Sequence, residues 1–283
     1  MPTLRAACAV VSPPRRPYDD DPSTLSYYRD LVEPFGLEVE EDLLRAGPNV
    51  GHRDLIDRLV TTGDIGDSTP DLVIVTQALP DVTPFTAISP YLDRQLGGHA
   101  TNFGIHQQGL AAPFTALRVI SAFQRAGRSR EAVLAVLEQT TLPTRLPLVH
   151  DNHLVDSGVM LLFGQEGGPR VTGVEAVSAT EPVAVRIGGV VDKEPDGTLV
   201  VAGPWLDTAA LADVRHHYQA SGGTYCTSVW LALARHWRSW QQEYTTVVLC
   251  DTDPRSGDSH LAVLRSHDHG TLPEPAGEGR RRR

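Results

Sequence analysis

Unbroken apolar runs and helical-period stripes alternate along most of this chain, and that alternation predicts an α/β fold. Residues 4–11, 71–78, 131–138 and Ser157–Gly164 are short apolar runs, the pattern of strands buried on both faces. Helical stripes separate them. Leu25, Tyr28, Leu31 and Val32 lie at helical spacing within 22–35, and Leu55, Ile56, Leu59 and Val60 repeat the pattern within 52–62. A helix is expected over 84–96, stopping at Gly97-Gly98. Thr101–His106 reads as a buried strand that turns sharply through Gln107, Gln108 and Gly109. A helix follows from Leu110 to Ala126, with Phe114, Leu117, Val119, Ile120 and Phe123 apolar. Strand and helix alternate so regularly in this half that a layered unit with a mostly parallel sheet is expected.

The second half repeats the theme in shorter form. Strands are predicted over 171–177 and Thr198–Ala202, and a helix over 208–218. Ser221-Gly222-Gly223-Thr224 leads into a helix carrying Val229, Leu231, Leu233 and Trp237. Residues 245–250 and 260–264 close the set as strands. The expected organisation is therefore an N-terminal half over 1–166, a shortened C-terminal half over 167–268, and a disordered tail over 269–283 that ends in Arg280 to Arg283.

Composition narrows the function classes. The 283 residues carry 25 basic and 35 acidic side chains, a net charge of -10, which argues against a nucleic-acid partner, since binding needs a basic face against the phosphates. No apolar run reaches the ~18 residues that span a bilayer, and no basic-then-apolar leader opens the chain. Cys8, Cys226 and Cys250 are too few and too scattered for a disulfide framework or a zinc site. A cytoplasmic protein without membrane partner, metal or cofactor is expected.

The turn at 107–110 poses the chemical problem. A strand feeding a tight turn into a helix is how many α/β enzymes present a nucleophile, with helix N–H groups favouring an anion. Here the apex is Leu110, which has no nucleophilic chemistry. Gln107 and Gln108 are either a hydrogen-bonding pair in a pocket or plain turn residues. Cys226, just past Gly223 at a predicted helix start, is the candidate for residual nucleophilic chemistry, against the alternative of a small buried side chain. His106 is a candidate general base, or a structural contact, and with His150 and His153 it is expected near the pocket. Asp151 between those two histidines suggests a metal site that the loop context does not support. Asp251-Thr252-Asp253 ends a strand. Arg118, Arg125, Arg128 and Arg130 form a basic patch, either a solvated helix face or a docking surface for an acidic partner.

The order of these motifs resembles the thiolase-like fold, specifically ketoacyl-acyl-carrier-protein synthase III. Three stretches carry the likeness: 71–78 with the helix after it, Gln107-Gln108-Gly109-Leu110-Ala111 with its helix, and Gly222-Gly223-Thr224 with the helix and strand pair that follow. The resemblance implies two related βα halves in a layered αβαβα arrangement. It also implies a Cys-His-Asn triad, with a thiolate that takes up the acyl group and partners that hold the developing oxyanion. The helix register puts Leu110 in the Cys column and the strand register Gly109, neither of which can attack a thioester; Gly223 stands in the Asn column, and no His-Gln-Ala-Asn stretch precedes the Gly-Gly turn. Asp253 and Pro254 replace glycines in a loop that supplies an oxyanion donor in the family.

These substitutions imply a catalytically degenerate protein with Gln107, Gln108, Gly109, Leu110, Gly223 and Cys226 lining an emptied pocket. The expected role is partner subunit, as homodimer or as heterodimer with an active synthase-III-like chain, in polyketide, fatty-acyl or other secondary-metabolite biosynthesis. An acyl carrier protein or acyl-coenzyme A is the expected associate. Two alternatives stay open: an acyltransferase or malonyl-thioester decarboxylase with a non-standard site, and a homodimeric small-molecule-binding protein.

Overall fold

A computed structural model describes residues 1–63, 65, 68–83 and 87–266. The elements of the first half are β1 (Thr3–Val11), α1 (Pro22–Val32), α2 (Glu41–Ala46), α3 (His52–Thr62), β2 (Leu72–Gln77), α4 (Ile88–Gln95), β3 (Thr101–His106), α5 (Ala112–Arg125), β4 (Ala132–Glu138), α6 (Pro147–His150) and β5 (Ser157–Gly164). Those of the second are β6 (Arg170–Val177), α7 (Val183–Val191), β7 (Thr198–Ala202), β8 (His217–Gln219), α8 (Ser228–Glu243), β9 (Thr246–Thr252) and β10 (Ser259–Arg265). The expected tail over 269–283 and the first three residues of the helix expected over 84–96 lie outside the described residues.

The ten strands of the described residues hydrogen-bond into one sheet in the order β3-β2-β4-β5-β1-β6-β10-β9-β7-β8. The second half mirrors the first: β6, β10, β9, β7 and β8 stand where β1, β5, β4, β2 and β3 stand, reflected about the centre. Within the sheet the two halves join where Thr3 pairs with Arg170, beside backbone bonds from Leu4 to Pro169 and from Val171 to Pro2. The sheet is mixed rather than mostly parallel. Parallel ladders join β2 to β3 and β4, and β7 to β8 and β9, while β5, β1, β6 and β10 run antiparallel to their neighbours. An apolar run alone does not reveal whether a buried strand runs parallel or antiparallel to its neighbours.

Helices α5 and α8 form the middle of the molecule. Helix α5 packs on β2 and β4 from one half and on β6 and β10 from the other; α8 packs on β1, β5, β7 and β9. Their burial between the two halves explains the largest core cluster, centred on Phe114, Leu117, Ile120, Trp230, Leu233 and Trp237. Helices α3 and α4 cover the outer face of the first half over Leu55, Ile56, Leu59, Val73, Val75 and Met160, and α7 covers that of the second over Ile187, Val200 and Val248. The expected five-layer αβαβα arrangement is thus present.

Two sequence expectations are corrected. Thr101–His106 is a strand, but it is the outermost one of its half, and each of its residues is at least partly exposed. Its apolar pair Phe103 and Ile105 misleads because the edge of a sheet keeps one side open. Residues 208–218 are not a helix: a short 3-10 turn (Thr208–Leu211) is followed by β8. Leu211 and Val214 pack on the outer cluster of the second half, whereas Tyr218 turns inward onto His236 and Trp240, with ring centroids 5.3 Å apart in each case. Residues facing opposite sides of a sheet share no helix face, so their helical spacing was coincidental. Helix α7 is not among the expected elements: Gly188 and Gly189 in its middle disfavour a helix, although Val183, Ile187, Val190 and Val191 keep the helical period.

Candidate functional site

The carboxyl-terminal ends of the parallel strands β2, β3, β4, β7 and β9 converge at one end of the molecule, the place where open α/β sheets carry their sites. The turn after β3 is strained there. Gln107 has φ 61° and Gly109 φ 53°, in the left-handed region that favours glycine. A side chain at Gly109 would also collide with the Tyr225 hydroxyl and the Asp253 carboxylate. Leu110 follows, 1% exposed, with its N–H donating to Asp253 Oδ2 at 3.4 Å. The Tyr225 hydroxyl donates to the same oxygen at 2.7 Å. Burial and the Asp253 carboxylate both push the Tyr225 phenol up, so it remains a donor. Asp253 is held in turn by the Arg255 N–H on its other oxygen, at 2.9 Å.

A second buried carboxylate anchors the start of α8. Glu138, the last residue of β4 and wholly buried, accepts the backbone N–H groups of Tyr225 (2.8 Å), Cys226 (2.5 Å) and Thr227 (3.3 Å). Burial pushes its carboxyl up to about 7, and those three donors pull the other way. Cys226 sits against it, 2% exposed, with its thiol bonded to Leu137 O at 3.6 Å. Burial first, and the neighbouring Glu138 charge second, push the Cys226 thiol well up. A thiol so placed is held protonated, the opposite of an activated nucleophile. Asp251, fully buried at the end of β9, accepts Ser228 Oγ at 2.8 Å and the Trp205 N–H at 3.1 Å; burial takes it to about 7. A side chain at Gly203 would overlap the Asp251 carboxylate, so glycine there makes room for it.

The other predicted site residues lie apart from this buried group. Gln107, Gln108 and His106 are exposed, and His106 folds back over Gly104. His106 and Gln107 line a separate cleft of about 730 Å³ with Tyr27, Gln77, Asp81 and Asn102. His52 lies behind this region, fully buried, its ring nitrogens without a hydrogen-bond partner and Nδ1 3.7 Å from Asp81. Burial lowers its pKa, with Asp81 opposing, so the ring is neutral. Gly223, at φ 88°, hands its carbonyl to the Val155 N–H and faces His153 O. His153 is exposed, His150 caps its own short helix at Leu146, and neither lines the cleft that His106 lines. Among the described residues no group of His, Cys, Asp and Glu is placed to hold a metal ion. Among them also, no helix is long and apolar enough to cross a membrane. Arg118, Arg125, Arg128 and Arg130 are exposed.

Sequence reading missed Glu138, Tyr225 and Gly203. A glutamate closing an apolar strand was the one available signal for Glu138, because a buried charge demands donors. Nothing local marks Tyr225, whose partner lies 28 residues away.

Comparison with solved structures places the fold among ketosynthase-III-type enzymes. The 3-oxoacyl-(acyl carrier protein) synthase III of Pseudomonas aeruginosa superposes with a TM-score of 0.64 at 15% identity, over 94% of this chain and 98% of that one. A tetronic acid condensing enzyme matches with a TM-score of 0.62 at 14% identity, over 94% of this chain and 100% of the other. OleA of Xanthomonas campestris with cerulenin matches at 0.60 and 11%, over 93% and 96%. These likenesses establish a thiolase-like fold. No family model matches the sequence, and no curated protein does.

Proposed function

We propose that this chain is a catalytically inert, ketoacyl-synthase-III-like subunit that partners an active synthase or acyltransferase of fatty-acyl, polyketide or other secondary-metabolite biosynthesis. The observation that carries the reading is the start of α5. A leucine occupies the apex, its N–H is taken by Asp253, and the position is closed to solvent. The nearby thiol of Cys226 is buried and held protonated, which weighs against a reaction of its own. Gly223 offers no side chain to a substrate, and Gly203, just after β7, offers none either.

What the chain does expose suits association. Strand β3 leaves one edge of hydrogen-bonding groups free of this sheet, and its Phe103 and Ile105 are half-buried beside Val119 and Phe123 of α5. A strand of a second subunit, a copy or an active homologue, would continue the sheet and cover these side chains. Ile105→Asp is expected to weaken that association by at least about tenfold, since one desolvated charge at an apolar contact costs over ~1.4 kcal/mol. Sedimentation at several concentrations reads the change, and an unchanged assembly would remove β3 from the interface.

The deciding experiment is affinity capture of the full chain from its native host. Recovery of a synthase with an intact Cys-His-Asn set is the expected result. Acyl transfer or malonyl-thioester decarboxylation by the isolated chain would overturn the proposal. A second reading is favoured by the cleft lined by Asp81, Gln77, His106 and Gln107: a small-molecule-binding homodimer, whose signature is saturable ligand binding by the lone chain.

A further inference from the structure

We propose that Asp253 and Tyr225 form a tethered plug, which seats one of the chain's own carboxylate oxygens at the start of α5 where a reacting acyl group would need to place its oxygen. This deepens the reading of an inert site and rests on it. The geometry is specific. A backbone N–H at the entry to a buried helix is an anion seat, and the N–H that Asp253 takes there is that of Leu110, in the 3-10 turn Gly109–Ala111 that leads into α5. Asp253 Oδ2 lies 3.4 Å from this nitrogen and 2.7 Å from the Tyr225 hydroxyl, so both donors converge on one oxygen. The other oxygen is fixed by the Arg255 N–H at 2.9 Å, and the Asp253 carbonyl takes the Gly257 N–H at 2.8 Å. The carboxylate is therefore rooted in its own loop and aimed at the helix, not drawn in by chance.

Shape reinforces the seat. Gly109 is the residue over which the plug passes, and a side chain there would strike both Tyr225 and Asp253. Asp253 is 7% exposed, Tyr225 0% and Leu110 1%, so the group leaves no room for a substrate oxygen. Other charged or titratable groups near it are few. His260, stacked on Phe114 with centroids 5.6 Å apart, faces the same space and is shifted down by burial, while Arg255 and Asp258 belong to the loop itself. Losing the nucleophile removes the attacking atom; filling the seat removes the place where negative charge would be stabilised. The second loss means that restoring the first will not restore the reaction.

The test compares Leu110→Cys, Leu110→Cys/Asp253→Ala and Leu110→Cys/Asp253→Asn in the full chain, each verified as folded by its melting transition. The probe is a short-chain acyl-coenzyme A, read by intact mass. In the reaction sought, the introduced thiolate attacks the thioester carbonyl, a new sulfur–acyl bond forms, the old one breaks, and coenzyme A leaves as its thiol after taking up a proton. Leu110→Cys alone is expected to stay unmodified, and the Asp253→Ala double variant to acylate at least about tenfold faster, the scale of one oxyanion donor or less. The Asp253→Asn double variant keeps the plug's shape without its charge. Its thiol titration midpoint, read by iodoacetamide alkylation against pH, should fall by about one unit while acylation stays blocked. Acylation of Leu110→Cys as fast as its Asp253→Ala double variant, or identical thiol midpoints in all three, overturns the plug. Acylation of the unmodified chain would instead overturn the proposed function, so the two failures are separable.

Discussion

Glu138→Ala is expected to lower the stability of the chain by about 3–5 kcal/mol, the range for breaking a buried network with an unpaired remainder. The reason lies in what it leaves behind. Three backbone N–H groups, those of Tyr225, Cys226 and Thr227, converge on this carboxylate, and all four residues are buried. Each buried donor left without a partner costs ~1–3 kcal/mol. The segment they belong to also sets the entry of α8, on which sheets from both halves pack. Relief of the buried charge offsets part of the loss, because burial already raises the Glu138 carboxyl to about 7. Glu138→Gln keeps one acceptor oxygen and should cost less than half as much. Urea unfolding of the three proteins measures the difference; a loss below ~1 kcal/mol for the alanine variant would mean that the segment finds other acceptors.

This dependence on Glu138 explains why the fold was more legible than the site. Strands such as Ser157–Gly164 and helices such as His52–Thr62 announce themselves through their own apolar period, because each buries its pattern against whatever layer it meets. The site is built from contacts between distant segments: Glu138 with Tyr225–Thr227, Asp253 with Leu110, Asp251 with Gly203 and Trp205. No local period records such a meeting. The inert apex at Leu110 was readable because a side chain's chemistry is printed in the sequence. The filling of its N–H was not, since Asp253 lies 143 residues away. The edge position of β3 escaped for the same reason, because an apolar strand carries no mark of how many neighbours it will have.

Stability should fall as pH rises from about 5 to about 7.5, the reverse of a protein whose carboxylates are held in ion pairs. Burial raises Glu138 from an ordinary 4.5 to about 7, Asp251 from 3.8 to about 7 and Asp156 from 3.8 to about 6. Hydrogen bonds to each, from Tyr225, Ser228 and Thr140 respectively, only partly offset that burial. Between its ordinary and its raised value, each group holds a proton in the folded chain that the unfolded chain has released. Folding therefore takes up protons across this window, and the free energy of unfolding declines with pH until the raised values are passed. His52 acts in the opposite sense: lowered by burial, it stays neutral when folded and costs stability below its ordinary 6.5. His260, also lowered by burial, acts in the same sense as His52. Two histidines do not outweigh three carboxyls, and the net effect expected is a loss of several kcal/mol, at about 1.4 kcal/mol per pH unit and group. Urea midpoints between pH 5 and 8 read the slope. Glu138→Gln, which imitates the protonated acid, should flatten it by roughly a third, one of three such groups. A wild-type midpoint that stays level or climbs over this range would mean that the three carboxyls are charged in the fold, stabilised by their N–H and hydroxyl donors against the cost of burial.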